Sequence, residues 1–552
     1  MIVLPVVERE LRVAARQPRT YRDRAWMAVA FTFLCLFIVL AAGQTTPSHE
    51  LGKVLFLAMG AVATFGALLF GPFLSADSLS SEKREGTLGL LFLTDLKAWE
   101  IILGKLATHG LTVAYQFLGA LPVLALPLLL GGVTWNNYAR MILAVLNAAF
   151  FSLAAGYFIS AISQRQRTAI VATFLWVGWF TAIIPLLEAE WAPRNPPFFS
   201  LASPFVTTII SMPGAGLNPA DFWPSFWTVH LLGWLWLAFA CLALPRQWQE
   251  KGETVKQVQL RERLTRWSLG NSRQRAGYRA AMLDRNPVCW LDDRYRLQKT
   301  ILWAVLLGST VLWMWNYAET PYEMLEEEVV VFTVLCLHYG LLLWIAFNAP
   351  QRFADDHASG ALELLLATPI AIRDILRGRW LALQRQFGWA LACIVVADVC
   401  MFAGSVVLMK LGRPWWDYDE IMFWLSMGAA GMIVFVLNAF ALAWTSLCFG
   451  LTARRSIQAS ARAALYVIIL HWIYLFGAMG IGFQLDHWNV INFEPEHALA
   501  IWFFLGLINS AVWMLWARRK LLRHFRHLAS EPAPVPWWVR LVRRFIPRKS
   551  QG

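Results

Sequence analysis

The sequence predicts an all-α membrane protein with about twelve transmembrane helices, arranged as two parallel six-helix repeats. Three observations carry that prediction. Of the 552 residues, 58% are hydrophobic and only 15% are charged. The apolar residues fall in continuous runs near 20 residues, the length that crosses roughly 30 Å of hydrocarbon as a helix. A 24-residue pattern between two such runs also occurs twice, 274 positions apart.

The runs lie near 25–43, 51–74, 107–130, 138–162, 168–187 and 226–245, then 301–317, 328–349, 386–409, 421–449, 463–483 and 498–517. In hydrocarbon the backbone must satisfy its own hydrogen bonds, so such runs are helices. Charge placement tests the count, because Lys and Arg hold to the cytoplasmic side of a span. With both termini inside, the outer loops keep only Lys53, Arg140, Arg194, Lys410 and Arg413, and 43 of the 48 basic residues lie inside. The outer loop after span seven carries Glu319, Glu323, Glu326, Glu327 and Glu328 without a cation. A miscount by one helix destroys this separation. The expected location is the plasma or inner membrane.

The same separation accounts for the net charge of +13. The excess sits at inner span ends, in the linker 246–299 and in the tail after 517. No nucleic-acid motif accompanies it, so anionic lipid headgroups are the expected contact. All the cysteines but Cys289 lie in apolar runs, without metal-ligand spacing. The first 24 residues are mostly polar, which argues against a cleavable signal peptide.

Four regions follow. Residues 1–245 form a first six-span half with an N-terminal interfacial helix, in which Val7, Leu11, Ala14 and Ala15 make one apolar stripe. Residues 246–299 form a basic linker, 300–517 the second half, and 518–552 a basic amphipathic tail with Trp538, Leu541, Val542 and Phe545 on one face. Pro5-Val6 and Pro287-Val288 each precede the first span of a half, and Leu146-Asn147-Ala148 matches Leu437-Asn438-Ala439. An even number of spans separates the copies, so they are parallel.

The repeated loops read EKREGTLGLLFLTDLKAWEIILGK over 82–105 and DHASGALELLLATPIAIRDILRGR over 356–379. Glu82 and Asp356 each precede a glycine, Gly86 or Gly360, by four residues, where a helix should end. A leucine-rich stretch follows, with Leu88 and Leu91 in one copy and Leu362 and Leu365 in the other. It is too short to span the bilayer and suits a short amphipathic helix at its surface. Thr368-Pro369 reads as an N-cap followed by a proline at the first helical position, and Thr94-Asp95 as a cap with a favourable charge. The alternative is a structural turn that only packs the inner face.

At these residues the chain resembles the ABC-2 type permeases, the membrane subunits of ATP-binding-cassette transporters. That family carries a pattern close to E-x-x-x-G-T-L-x-L-L-x-x-T-P between its second and third spans, followed by G-K. Glu82, Gly86, Thr87, Leu88, Leu90, Leu91, Thr94, Gly104 and Lys105 match it. So do Asp356, Gly360, Leu362, Leu364, Leu365, Thr368, Pro369 and Gly378, with departures at Ala361, Arg379 and Asp95. The resemblance implies an ABC-2 transporter-like fold in which each loop holds a coupling helix that docks on an ATP-binding subunit. It also implies two such subunits for this fused chain, ATP and Mg on those partners, and transport, with export the commoner role in that family.

The chain itself has no G-x-x-x-x-G-K-[ST] loop, H-E-x-x-H or G-x-S-x-G, so no catalytic, cofactor or metal site is nominated. Inside the spans, Asp398 and His471 are candidates for a polar path, and His338 lies in span eight. A charge in mid-membrane costs about 2.5–3.5 kcal/mol on insertion scales. The alternative for each is a hydrogen-bonded group between helices. Two other functions remain open: a membrane anchor for an ATPase without cargo, and an ion-driven secondary transporter.

Overall fold

The computed structural model describes residues 18–42, 46–93, 96–164, 166–191, 199–214, 216–247, 277, 279–280, 282–293, 297–412, 418–453, 456–487 and 494–530. The expected N-terminal interfacial helix, most of the linker, Thr94-Asp95 and the amphipathic tail around Trp538 lie outside them. Among the described residues every regular element is helical. Twelve helices are long and apolar enough to cross a membrane, and each expected run overlaps one of them. The chain divides into two compact units, Met1–Thr254 and Val255–Gly552.

The first unit holds spans Tyr21–Leu40, Ser48–Arg84, Ala98–Leu130, Trp135–Ile162, Thr168–Glu188 and Pro219–Arg246. The second holds Gln298–Glu319, Glu327–His357, Ile372–Val407, Tyr418–Thr452, Ser456–Gly482 and Glu496–Ala529. We number them one to twelve. Several helices outrun their apolar stretch at the loop end: span nine begins at Ile372, not near 386, because its first turns carry Arg373, Asp374, Arg377 and Arg379. Span twelve continues in the same way to Ser530, so residues 518–530 extend that helix.

The fourth span of each half is its most buried helix. Small residues make this possible in the first unit, where Ala148, Ser152, Ala155, Gly156 and Ser160 are buried along span four. Gly71 of span two lies against Ser152, and Gly156 lies against Ser75, so closely that a Cβ on either glycine would overlap the facing hydroxyl. Lipid is as apolar as a leucine side chain, so helices there associate by close fit and hydrogen bonds instead of by the hydrophobic effect.

Buried hydrogen bonds reinforce the fit. Asn147 donates to the Phe226 carbonyl at 2.9 Å, and its oxygen meets His230 Nδ1 at 3.0 Å. The matching Asn438 accepts from Ser510 Oγ at 2.6 Å. In each half the repeated asparagine therefore ties the fourth span to the sixth. Each fifth span also contains a π-helical turn, Trp179–Ile183 and Leu465–Ile469. The Val467 carbonyl in the second of these accepts from Asn509 at 3.0 Å.

The halves differ after their fifth spans. In the first, the segment expected to be an outer loop turns back into the unit. Glu188 accepts from the Phe199 amide at 3.0 Å and from Ser200, which starts a 3-10 turn. The short helix Pro204–Ile210 then buries Thr208 against Thr64 of span two, with the hydroxyls 3.0 Å apart. Between Gly482 and Pro495 the second half has only 12 residues.

Gly156→Ala is expected to force spans two and four apart and cost about 1–3 kcal/mol, read as a lower thermal midpoint in detergent. Gly110→Ala, where a Cβ meets nothing within 4 Å, should leave the midpoint unchanged. Equal midpoints for the two variants would exclude the close fit as a source of stability.

Candidate coupling loops

Each repeated loop is built in the same order. The second span of the half breaks, at Ala76-Asp77 or at Ala349-Pro350, and resumes as a short helix, Ser78–Arg84 or Gln351–Ala358. That helix stops at a glycine with positive φ, 72° at Gly86 and 73° at Gly360. A Cβ at either glycine would meet nothing within 4 Å, so the backbone conformation and not space selects glycine here. The leucine helices follow, Thr87–Leu93 and Ala361–Leu366.

Inside each leucine helix the residues separate by direction. Leu88 and Leu362 are each 1% exposed and anchor their helix to the unit. Leu91 and Leu365 pack partly against the same cores. Leu90, Leu93 and Leu364 face out, at 62%, 78% and 73% exposure. Exposed leucines on a short surface helix are the kind of apolar patch that marks a contact site.

A cation from the next span closes each loop. Lys105 Nζ lies 2.8 Å from Glu82 Oε1, and Arg379 pairs with Asp356. The Thr87 hydroxyl also donates to the Glu82 carbonyl at 3.3 Å. The repeat thus conserves both charges of an ion pair, acid in the break helix and base in the following span. The sequence aligns Lys105 with Arg379 as cations 23 positions after Glu82 and Asp356, and the structure shows that each is paired with that carboxylate.

Beyond this shared frame the loops are anchored differently. The first grips the end of span four: Ser160 Oγ accepts from the Leu79 and Ser80 amides, each at 3.0 Å. Lys83 reaches the Ser160 and Ala161 carbonyls, and Arg84 bridges Asp77 Oδ1 at 2.7 Å and the Gln164 carbonyl at 3.3 Å. Cations at a helix C-terminus are favourable, because the last carbonyls are unpaired there.

The second loop is held from the segment before span seven. Arg379, buried to 2% exposure, pairs with Asp292 as well as Asp356, and Arg352 lies 3.4 Å from Asp292. Asp292 belongs to the helix Pro287–Asp293, which Asn286 caps by accepting from the Val288 and Cys289 amides. Asn286 also donates to the Asp374 carbonyl at 2.8 Å. The helix passes so close to Gly378 that a Cβ there would overlap Asn286 and crowd Val288.

One sequence expectation needs correction. Thr368 is not the N-cap of span nine, nor is Pro369 its first residue, because the helix starts at Ile372. The Asp374 and Ile375 amides donate to the Ala371 carbonyl. Thr368 instead donates to the Leu365 carbonyl at 2.6 Å, closing the leucine helix behind it. In the first copy Glu100 supplies the start of span three, its carboxylate accepting from the Lys97 amide at 2.8 Å.

The polar residues within the spans do not form one chain. Asp398 Oδ2 meets His338 Nε2 at 2.7 Å, and the imidazole stacks on Phe435 at 3.8 Å. Asp398 is fully buried, and its Oδ1 has no hydrogen-bond partner. His471 bonds the Trp502 carbonyl at 3.1 Å instead. Among the described residues no hydrogen bond or ion pair joins Asp398 to His471. In the repeat, His338 and Asp398 stand where the first half has Thr64 and Leu124.

The family comparison falls on the first unit. Residues 42–244 match a family model described as ABC-2 family transporter protein. The first half is similar to the ABC-2 family membrane domain. Two relatives, each described as "Probable ABC transporter permease protein NosY", come from Stutzerimonas stutzeri and Pseudomonas aeruginosa. Each is 26% identical over 201 residues, covering 33% of this chain and 73% of its own. An ABC-2 type permease is a multi-pass membrane component of an ABC transporter, and the loop Glu82–Lys105 lies within the matched residues.

His338→Leu should leave Asp398 with neither oxygen bonded and cost about 3–5 kcal/mol, as breaking one side of a buried pair does. Combining it with Asp398→Leu should restore most of that loss, read as thermal midpoints of the two variants. A double variant no better than the single one would mean the pair is not the stabilising unit.

Proposed function

We propose that this chain is the membrane-spanning permease of an ABC transporter whose ATP is hydrolysed by separate subunits. Each coupling loop docks one ATP-binding subunit, giving two per chain, with ATP and Mg held on those partners. The termini and both loops lie on the cytoplasmic face of the cell membrane, and the substrate is exported. The observation that supports this reading best is the duplicated loop. Two short leucine helices, each closed by an acid–base pair, present Leu90 and Leu93 or Leu364 outward. One partner type gripped at two sites is the economical reason to keep both copies.

Coupling of this kind has a thermodynamic requirement. ATP binding can move the halves only if the subunits hold the two membrane conformations with different affinity. A loop fixed to its span by an ion pair carries a displacement of the docked subunit into the bundle, whereas a loose loop absorbs it.

Affinity purification of the tagged chain in mild detergent tests the reading, with an ATP-binding-cassette subunit expected at two per chain. Glu82→Ala with Asp356→Ala should leave the chain in the membrane and lower recovery of that subunit several-fold. Unchanged recovery would count against the loops as the docking sites. A chain that purifies without any ATPase, where a control transporter stays intact, would favour an ion-driven carrier. ATP-dependent movement of cargo in vesicles separates a permease from an anchor.

A further inference from the structure

The helix of span twelve runs from Pro495 to a kink at His524, where the backbone leaves helical geometry, and resumes to Ser530. Residues 498–517 carry no charge, and 20 helical residues cover roughly 30 Å. The chain then continues for 13 residues, with helix on both sides of the His524 kink. The extension lies at the level of the second coupling loop.

Contacts confirm that level. Ala517, Leu521, Phe525 and Ala529 of the extension are buried in one cluster with Leu362 and Phe353, against which Leu365 and Leu366 also pack. Phe525 meets Phe353 edge-on at 5.7 Å, and Phe353 lies 4.8 Å beneath the Arg379 guanidinium that closes the loop. The leucine helix of the second loop thus rests on the extension of the last span.

The opposite face is cationic. Between 518 and 530 there are five Lys and Arg residues and no carboxylate. Lys520 and Arg518 lie over Trp516 and Trp444 at the membrane end, at 4.7 and 5.9 Å. Arg519, Arg523 and Arg526 are exposed, and Arg519 and Arg523, four residues apart, share one side of the helix before the kink at His524. Exposed cations without acids of their own, on a helix packed against the leucine helix that carries the exposed Leu364, suit a partner that offers acidic groups around an apolar contact.

We propose that the extension Arg518–Ser530 is a second docking element, whose Arg519, Arg523 and Arg526 engage an acidic surface of the ATP-binding subunit seated on the second loop. This rests on the proposed function, since it names more of the same partner's contact. Its packing on the loop proposed to dock that subunit favours a protein over lipid as the occupant.

Photo-crosslinking in the intact membrane complex tests it, with p-benzoylphenylalanine placed singly at Arg523, Arg526 or Leu364. Adducts with the ATP-binding subunit at Arg523 or Arg526, as well as at Leu364, are the expected result. An adduct at Leu364 alone, or only lipid adducts at the two arginine positions, overturns the second element and leaves the loop assignment standing. No adduct at Leu364 either would remove the coupling reading and this proposal with it. Independently, Arg519→Glu with Arg523→Glu and Arg526→Glu should lower recovery of the subunit tenfold or more. Recovery equal to that of the unaltered chain would overturn the proposal.

Discussion

Within hydrocarbon, an apolar side chain gains almost nothing by leaving lipid for another helix. Everything that gives this chain a defined structure follows from that constraint. Specificity has to come from steric fit and from the few polar groups that cannot be left bare. Hence Gly71 and Gly156 face Ser152 and Ser75, Asn147 and Asn438 reach their sixth spans, and Asn509 serves a carbonyl in a π-helical turn. Outside hydrocarbon, charges become affordable and take over, and both repeated loops are fixed by carboxylates and cations.

What could be read from sequence follows the same division. Span number was legible because hydrocarbon imposes length and charge asymmetry on the chain directly. The loops were legible because they repeat, and Gly86 and Gly360 marked their corners by backbone conformation alone. Long-range pairings were not. Nothing near Arg379 in sequence points to Asp292, and nothing near Asp398 points to His338, since each pair joins different helices. Thr368 misled for a local reason: a threonine before a proline resembles a cap, but its hydroxyl turns back to Leu365. The returning segment around Thr208 was hidden because a short helix with buried hydroxyls has the composition of a loop.

The two loops show how one frame accepts different supports. Acid, glycine corner, buried leucine and cation recur in both. The anchors behind them do not: the first loop uses the end of span four, and the second uses Asp292, Asn286 and the extension of span twelve. Shared features are those that shape the leucine helix itself, which is where a common demand would act. The supports only have to be firm, and several chemistries achieve that.

Carrying both halves in one reading frame also changes what a mutation does. An assembly of two identical subunits receives every substitution twice, and a cell with two alleles builds mixed assemblies. Here a change at Thr64 leaves His338 untouched, although the repeat places them at the same position. One site could keep its hydroxyl while the other acquired an imidazole and, with it, the tolerance for a buried aspartate. Each half can therefore meet its own structural demands.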